Sequence, residues 1–560
     1  VRSKLLGDIV HSSPVFDNGV VYVGANDGML HAFQITSTAG VISGVEKFAY
    51  VPSFVYQNLE NLTQAPLEHK YYVDLTPTVA TGYELLGGEE IVQTILVGGL
   101  GKGGKGYFAL DITDPNSMNK NKVLWEFPDD ATDAHAQDMG YSFSSPVVVQ
   151  TNSKNADEAW VVITGNGYDS QTGKAILFVL NPQTGGVTRK ISTNDATGNG
   201  LSTPVAVDVN YDRRVDFVYA GDLMGNMWKF DLTGDEASQW SVAYHDGENN
   251  QPLFQAKGPT GAPQPITTKP EVMFHPQQYE MRTHGLMVLF GTGKLLGESD
   301  FSDNSTQTVY GIWDYGDRAW WPGTWGGYSR DDNDEFLGAF NRPELSNHEG
   351  QNITLLEQAA TAFTVNVRTE TGEVVEYDIR VMTGNEPNWY TEEDPDDGSP
   401  PSLPDIAEED DGEITVHAGW FWDLPLRGER VISDVLLRDG RLIVIPFTPS
   451  EDRCGDGGSS FMMEIDAVSG GHSGAIIFDI NNDGVINAED MVTIGKDEEG
   501  NDIKRIPDGL KLAGSVKPPA ILILNEEIEV KYLSSSTGGV HMVKEKAVRL
   551  GVTYWKELNN

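Results

Sequence analysis

The side chains of this chain best placed to act together chemically lie in Asp208-Val209-Asn210-Tyr211-Asp212-Arg213-Arg214-Val215-Asp216. Calcium takes about six to eight oxygen ligands, and an alternating acid–amide–acid arc sets three side-chain oxygens on one side of a turning backbone. Asp208, Asn210 and Asp212 supply that arc. The Arg214 carbonyl stands at the seventh position and the Asp216 carboxylate at the ninth. The flanking stretches PVAVDV and VDFVYAGD alternate as strands do, so residues 203–219 read as a calcium loop between two β-strands. An Asp/Asn-rich hairpin turn is the plainer alternative. Turn preference alone gives no reason for oxygen-bearing side chains at positions one, three, five and nine together, so calcium is the expectation.

A second run, Asp479-Ile480-Asn481-Asn482-Asp483-Gly484-Val485-Ile486-Asn487-Ala488-Glu489-Asp490, follows the EF-hand loop template more closely. Asp479, Asn481, Asp483, Asn487 and Asp490 are side-chain donors, and the Val485 carbonyl occupies the seventh position. Gly484 stands at the tight sixth position, and Asp490 replaces the usual final Glu. The first loop departs further, with Arg213 at position six and Tyr219 at position twelve. The spacing of the second loop resembles that of dockerin-type modules, and a short helix from Ala488 to about Ile494 is expected after it. It lies in an insertion, 472–507, that calcium could help to fold.

The elements that must hold these loops repeat along the chain. Ser13-Pro14, Thr76-Pro77, Ser145-Pro146, Thr203-Pro204 and Lys269-Pro270 each open an apolar segment, and a strand, a Gly-rich turn and a second strand follow. The paired strands fall at 21–35, 95–112, 160–181, 217–232 and 287–314. Later pieces lie at 419–425 with 441–447, at 461–471, and at 520–525 with 531–543. A four-stranded sheet cannot bury its own faces and must stack on neighbours. The expectation is all-β: one β-propeller over residues 1–560, of seven four-stranded antiparallel blades, with six or eight as alternatives. Residues 270–518 are expected to hold about three blades, and 549–558 a closing strand. The acidic, Pro-rich stretch 390–412 has little to bury and is expected to be a mobile loop. Gly99-Leu-Gly101-Lys-Gly-Gly104-Lys105 mimics a phosphate loop, but Gly106 replaces the required Ser or Thr and the strand YFALDI follows where a helix should, so a hairpin turn is expected.

Composition narrows the partners. With 83 acidic against 39 basic residues the formal charge is −44, which excludes a phosphate backbone as the natural ligand. No apolar run reaches the roughly 20 residues that span a bilayer. A lone cysteine, Cys454, excludes an intrachain disulfide and a Cys-rich zinc site. His11, His31, His69 and His135 show no paired metal spacing and are expected to be structural. The chain starts at Val1 with no signal peptide, which is not taken as a sign of cytoplasmic residence.

Several segments carry a family resemblance. GDIVHSSPV (7–15) with VYVGANDGMLHAF (21–33) resembles the start of the C-terminal β-propeller of PilY-type proteins of bacterial type IV pili. GKGYFALDITDP (104–115), MGYSFSSPVV (139–148), YAGDLMGNMWKFDL (219–232), FGTGKLL…TQTVYGIWD (290–314) and GWFWDLPLRGERV (419–431) extend it in order. The resemblance implies calcium at Asp208–Asp216, control of pilus extension and retraction, and surface adhesion to a host or abiotic ligand. It also implies minor pilins as partners, and a secreted, outer-membrane-associated place at the pilus tip. A larger N-terminal region, often with a von Willebrand A-like domain, belongs to such proteins and is not in this chain. The acidic 390–412 stretch has no counterpart in the resemblance. The runner-up is a quinoprotein dehydrogenase propeller, whose repeat VYVGANDGMLHAF also resembles, but one cysteine cannot form the vicinal disulfide those enzymes use. A carbohydrate-binding, cellulosome-like module rests on the dockerin spacing alone, and the two loops are too far apart in sequence for it.

Overall fold

The structure is a computed structural model. It describes residues 6–547 except 39–40, 65, 67, 87–88, 130–131, 246–248, 276–284, 315–327, 331–335, 340–345, 349–350, 390–413, 451–456 and 524–527. The acidic stretch 390–412, Cys454 and the expected closing strand at 549–558 therefore lie outside the described residues. The chain divides into two compact units, chiefly Val1–Leu223 with Trp228–Asn250, and Gln251–Trp555 with Met224–Met227.

In the first unit each proline step opens a sheet of four antiparallel strands in chain order. The first runs Val15–Asp17, Val20–Ala25, Met29–Thr38 and Val41–Tyr50; the second runs Thr78–Leu86, Glu89–Gly99, Tyr107–Asp111 and Val123–Phe127. The third is Val147–Gln150, Trp160–Gly165, Ile176–Leu180 and Val187–Ser192. The fourth is Val205–Val207, Phe217–Gly221, Asn226–Asp231 and Ser241–Val242, with Phe254–Gln255 pairing as a fifth strand beside Asn226 and Met227. Proline has no N–H to give a ladder, so it sits just before the first strand rather than inside it.

The residues before each proline explain the motif. The hydroxyls of Ser12, Ser144 and Ser202 accept hydrogen bonds from the N–H groups of Gly24 (2.9 Å), Gly165 (2.8 Å) and Gly221 (3.1 Å). The Ser13 and Ser145 N–H groups donate to the hydroxyls of Thr76 (2.8 Å) and Thr203 (3.1 Å), the equivalent residues of the following repeats. Those glycines are needed for close approach: a Cβ on Gly24 would lie 2.5 Å from the Val73 carbonyl oxygen. Apolar side chains of successive sheets then close on one another. One core joins Val149, Val161 and Leu177 of the third sheet to Val218, Trp228 and Phe230 of the fourth, and it carries the ends of the strands that flank 208–216.

The second unit is less regular. Its first sheet begins antiparallel as Glu271–Phe274, Leu286–Gly291, Thr308–Asp314 and Ile414–Asp423. Gln351–Gln358 then adds to Ile414–Asp423 in parallel. The other sheet centres on Gly458–Asp466, between Arg441–Val444 and Gly509–Ala513, and the hairpin Ala360–Arg368 with Val374–Met382 joins it through Gly509–Ala513. Among the described residues six sheets thus have blade character, not seven. Residues 270–518 give two blades rather than three, because the inserted strands at 346–382 extend existing sheet edges instead of starting a blade. Ala520–Ile523, Ile528–Ser534 and Val540–Lys546 form a separate three-stranded sheet. Its Leu533 and Val543 pack with Ile477, Phe478 and Ile480, the residues leading into the second acidic loop.

The phosphate-loop mimic is a turn: Gly101–Gly103 makes one short 3-10 turn between antiparallel strands. The expected helix after Asp490 is a correction. Only Ala488–Asp490 turns, and Val492–Lys496 pairs with Asp502–Arg505 as a hairpin. The β-branched run Val492-Thr493-Ile494 favours a strand over helical continuation.

Candidate metal centre

The two acidic loops share one hydrogen-bond skeleton. At the fifth position, the Asp212 N–H donates to Asp208 Oδ1 (3.3 Å) and Asn210 Oδ1 (2.9 Å), and the Asp483 N–H to Asp479 Oδ1 (3.1 Å) and Asn481 Oδ1 (2.9 Å). At the sixth, the Arg213 and Gly484 N–H groups donate to the other oxygen of the first aspartate, at 2.7 and 3.0 Å. At the seventh, the Arg214 and Val485 N–H groups donate to Asp212 Oδ1 (2.9 Å) and Asp483 Oδ1 (2.7 Å). Positions four and six are left-handed in both, with φ of 64° and 71° at Tyr211 and Arg213, and 56° and 79° at Asn482 and Gly484. Sequence spacing alone does not show this equivalence.

The last carboxylate closes each arc. The Ile480 N–H donates to Asp490 Oδ1 at 2.9 Å, and the Val209 N–H to Asp216 Oδ2 at 2.8 Å. Asp216 at position nine thus takes the part that Asp490 takes at position twelve. Tyr219, which stands at position twelve of the first loop, is buried in the strand Phe217–Gly221 opposite Val205.

Their supports differ. The first loop is held by the end of the third sheet's first strand, where the Val215 N–H donates to the Gln150 carbonyl at 2.8 Å. Asn152 Nδ2 donates to the Val215 carbonyl (2.9 Å) and to Asp216 Oδ1 (3.1 Å), and Arg214 Nη1 reaches the Thr151 carbonyl at 3.4 Å. The second loop is held by the C-terminal sheet. The Asp479 N–H donates to the Lys544 carbonyl (3.2 Å), and Lys544 Nζ donates to Asn482 Oδ1 (2.8 Å) and lies 3.7 Å from Asp479 Oδ2. Asn152 and Lys544 are far from the loops in sequence and carry no local signal of their role.

Electrostatics separates the loops further. Asp208 and Asp216 are 4% and 3% exposed, yet among the described residues no Lys, Arg or His side chain pairs with Asp208, Asp212 or Asp216. Burial raises the Asp216 pKa, against hydrogen bonds from Val209 and Asn152, and the charges of Asp208 and Asp212 push the same way. Asp490 is raised by burial as well, with Asp479 adding to it. Buried carboxylates with no cation beside them fit a divalent ion chemically. Among the described residues no three His, Cys, Asp or Glu side chains converge into a metal-like cluster. The same loops also carry the side-chain amide oxygens of Asn210, Asn481 and Asn487.

Of the four histidines singled out in the sequence, three are bonded through their rings: His11 to Asp74, His31 to Asp27 and Glu46, and His69 to Asp8. His135 packs against Phe127 and Phe178, and its Nδ1 finds no partner.

A profile of the PilY1 beta-propeller domain matches residues 11–324. The chain belongs to that family. The type IV pilus biogenesis factor PilY1 of Pseudomonas aeruginosa strain PAO1 is 34% identical over 548 residues, covering 88% of this chain and 41% of that protein. A PilY1 homolog of Xylella fastidiosa is 32% identical over 469 residues, 80% of this chain and 26% of that protein. The chain thus spans well under half the length of these curated relatives. The crystal structure of the Pseudomonas aeruginosa PilY1 C-terminal domain aligns with a TM-score of 0.65 at 28% identity, covering 95% of this chain and 93% of that one. The fold is an all-β propeller of antiparallel blades, and these relatives of the PilY1 family are named as pilus biogenesis factors, not as enzymes.

Proposed function

We propose that this chain is a calcium-binding propeller that serves type IV pilus biogenesis. It sets the balance of pilus extension and retraction and supports surface adhesion. The single observation that carries the reading is the position of Asp216. Its carboxylate accepts from Val209 inside the loop and from Asn152 at the end of the third sheet, so one acid ties the loop to the neighbouring blade. Asp208, Asn210, Asp212, the Arg214 carbonyl and Asp216 would hold one calcium. Asp479, Asn481, Asp483, the Val485 carbonyl, Asn487 and Asp490 would hold a second. Bound calcium supplies the counter-charge that the first loop lacks. Without it, mutual repulsion of Asp208, Asp212 and Asp216 favours an open loop and a loosened contact with Asn152.

The partners of this reading are minor pilins and other pilus components, with a host or abiotic surface as the adhesive ligand. Its place is the cell surface, at the pilus tip and associated with the outer membrane. No helix among the described residues is long and apolar enough to cross a membrane. The names of the relatives support the pilus reading over the dehydrogenase alternative.

The test is Asp216→Ala in the full-length protein in its own cells, scored by surface pili and twitching, beside calcium titration of the purified chain. Loss of one calcium with altered piliation is expected. Loss of the calcium with wild-type piliation and motility would sink the regulatory reading.

A further inference from the structure

The second and third sheets of the first unit enclose a cleft of about 460 Å³, whose lining includes Gln150, the residue that also holds the first acidic loop. That lies within the range of small-molecule sites, roughly 300–1,000 Å³. Its floor is apolar, from Ile95 and Val148. One wall is the half-buried indole of Trp160, and the strand facing it has Gly82 where any other residue would carry a side chain. A Cβ there would sit 3.7 Å from the indole, so Gly82 lets its strand lie close beside the ring, and a larger side chain would press into it.

The opposite wall is made of amides. Asn181 Oδ1 accepts from the Gln183 N–H (2.9 Å) and the Thr184 N–H (3.0 Å), which fixes the turn. Trp125 Nε1 pins the same turn through the Pro182 carbonyl at 2.8 Å. Gln183 Nε2 donates to Gln93 Oε1 across the cleft, and Gln93 is the ladder partner of Gly82. This bond commits one donor and one acceptor and leaves the Gln93 amide hydrogens and the Gln183 carbonyl oxygen for a ligand. At the mouth stands the exposed carboxylate of Asp157, the one ionisable side chain of the lining.

From this we infer that the Trp160 cleft is a binding site for a neutral sugar ring. An indole face suits the C–H face of a pyranose. Planar amides and one carboxylate suit hydroxyl groups, which both donate and accept. Anionic ligands find no cation in the lining and meet a chain of charge −44. A quaternary ammonium needs a cage of several aromatic faces, and Trp160 is the only aromatic residue of the lining.

The test is saturation-transfer NMR on the whole chain with methyl glucoside, methyl galactoside, methyl mannoside and N-acetylglucosamine, with choline and inorganic phosphate as comparators. At least one neutral sugar should receive saturation through its ring C–H protons. Trp160→Ala should weaken its binding about tenfold or more, the loss of roughly one decade in Kd that a main contact provides. Gly82→Val fills the cleft without removing a packed side chain, and it should weaken binding as much even if Trp160→Ala folds poorly. Silence from every neutral sugar, a sugar signal indifferent to Gly82→Val, or choline or phosphate binding in preference to sugar would overturn the inference.

Discussion

The loops at 208–216 and 479–490 have the same local skeleton and opposite surroundings. Both wind the backbone through two left-handed residues around a first aspartate that accepts from positions five and six. The first is spliced between two strands of a regular blade and leaned on by Asn152. The second sits in an insertion and has an ammonium beside it, that of Lys544. The first places Arg213 in a left-handed conformation that favours glycine, and the second uses Gly484 there. The difference teaches that local chemistry and dependence on metal are separable. The second loop carries its own partial counter-charge, whereas the first has none among the described residues, so under the proposed calcium reading the first is expected to respond more to calcium.

The largest effect expected is on stoichiometry. Asp208→Ala and Asp479→Ala should each remove one of two calcium equivalents, read by titration calorimetry. Each should also remove the stabilisation that its ion gives, about 2.7 kcal/mol when free calcium is 100 times Kd. If either variant keeps both equivalents, that loop is not a site. Next comes Asp216→Asn, which removes charge while an amide oxygen can still accept from Val209. Calcium affinity at the first loop should fall about tenfold or more, while the metal-free melting temperature should change little, because losing the Asn152 hydrogen bond is offset by losing the repulsion from Asp208 and Asp212. An unchanged affinity would remove Asp216 from the ligand set.

A pH effect follows from the raised carboxyls. The folded chain holds the Asp216 proton more tightly than the unfolded chain does, so this group favours folding below the ordinary aspartate value of 3.8. That contribution is lost as pH rises through the raised value. Calcium competes with the same proton, so its affinity should drop as pH falls through that window, with Asp216→Asn flattening the drop at the first loop. A pH-independent calcium affinity there would contradict the burial argument.

Lys544→Met should act in opposite senses on the second loop. Calcium should bind a few-fold tighter without the competing ammonium, and the metal-free protein should be less stable by about 1 kcal/mol or less, since the pair is partly solvated. The smallest change is Arg213→Gly, which relieves a left-handed non-glycine residue. A gain of about 1 kcal/mol or less in metal-free stability is expected from chemical denaturation.

Much of this was legible in the sequence, for physical reasons that can be named. Proline steps and Gly-rich turns mark the blade strands because each leaves a local trace: a missing N–H, a positive φ or a close approach. Oxygen donors at alternate positions mark both loops for the same reason. What escaped depends on contacts distant in sequence. A count of strand-like segments gives seven blades. The strands at 346–382 add to sheets whose other members lie up to about 130 residues away, and nothing in their own pattern says so. Asn152 and Lys544 are ordinary polar residues until the fold brings them to Asp216 and Asp479. The equivalence of Asp216 and Asp490 likewise comes from shared hydrogen bonds, not from their unequal spacing.

The most direct test is calcium titration of the purified chain beside Asp216→Ala and Asp490→Ala. Two equivalents in the parent, one in each variant and none in the double variant are expected. A parent that binds no calcium, or variants that keep both equivalents at unchanged affinity, would contradict the assignment of the two loops.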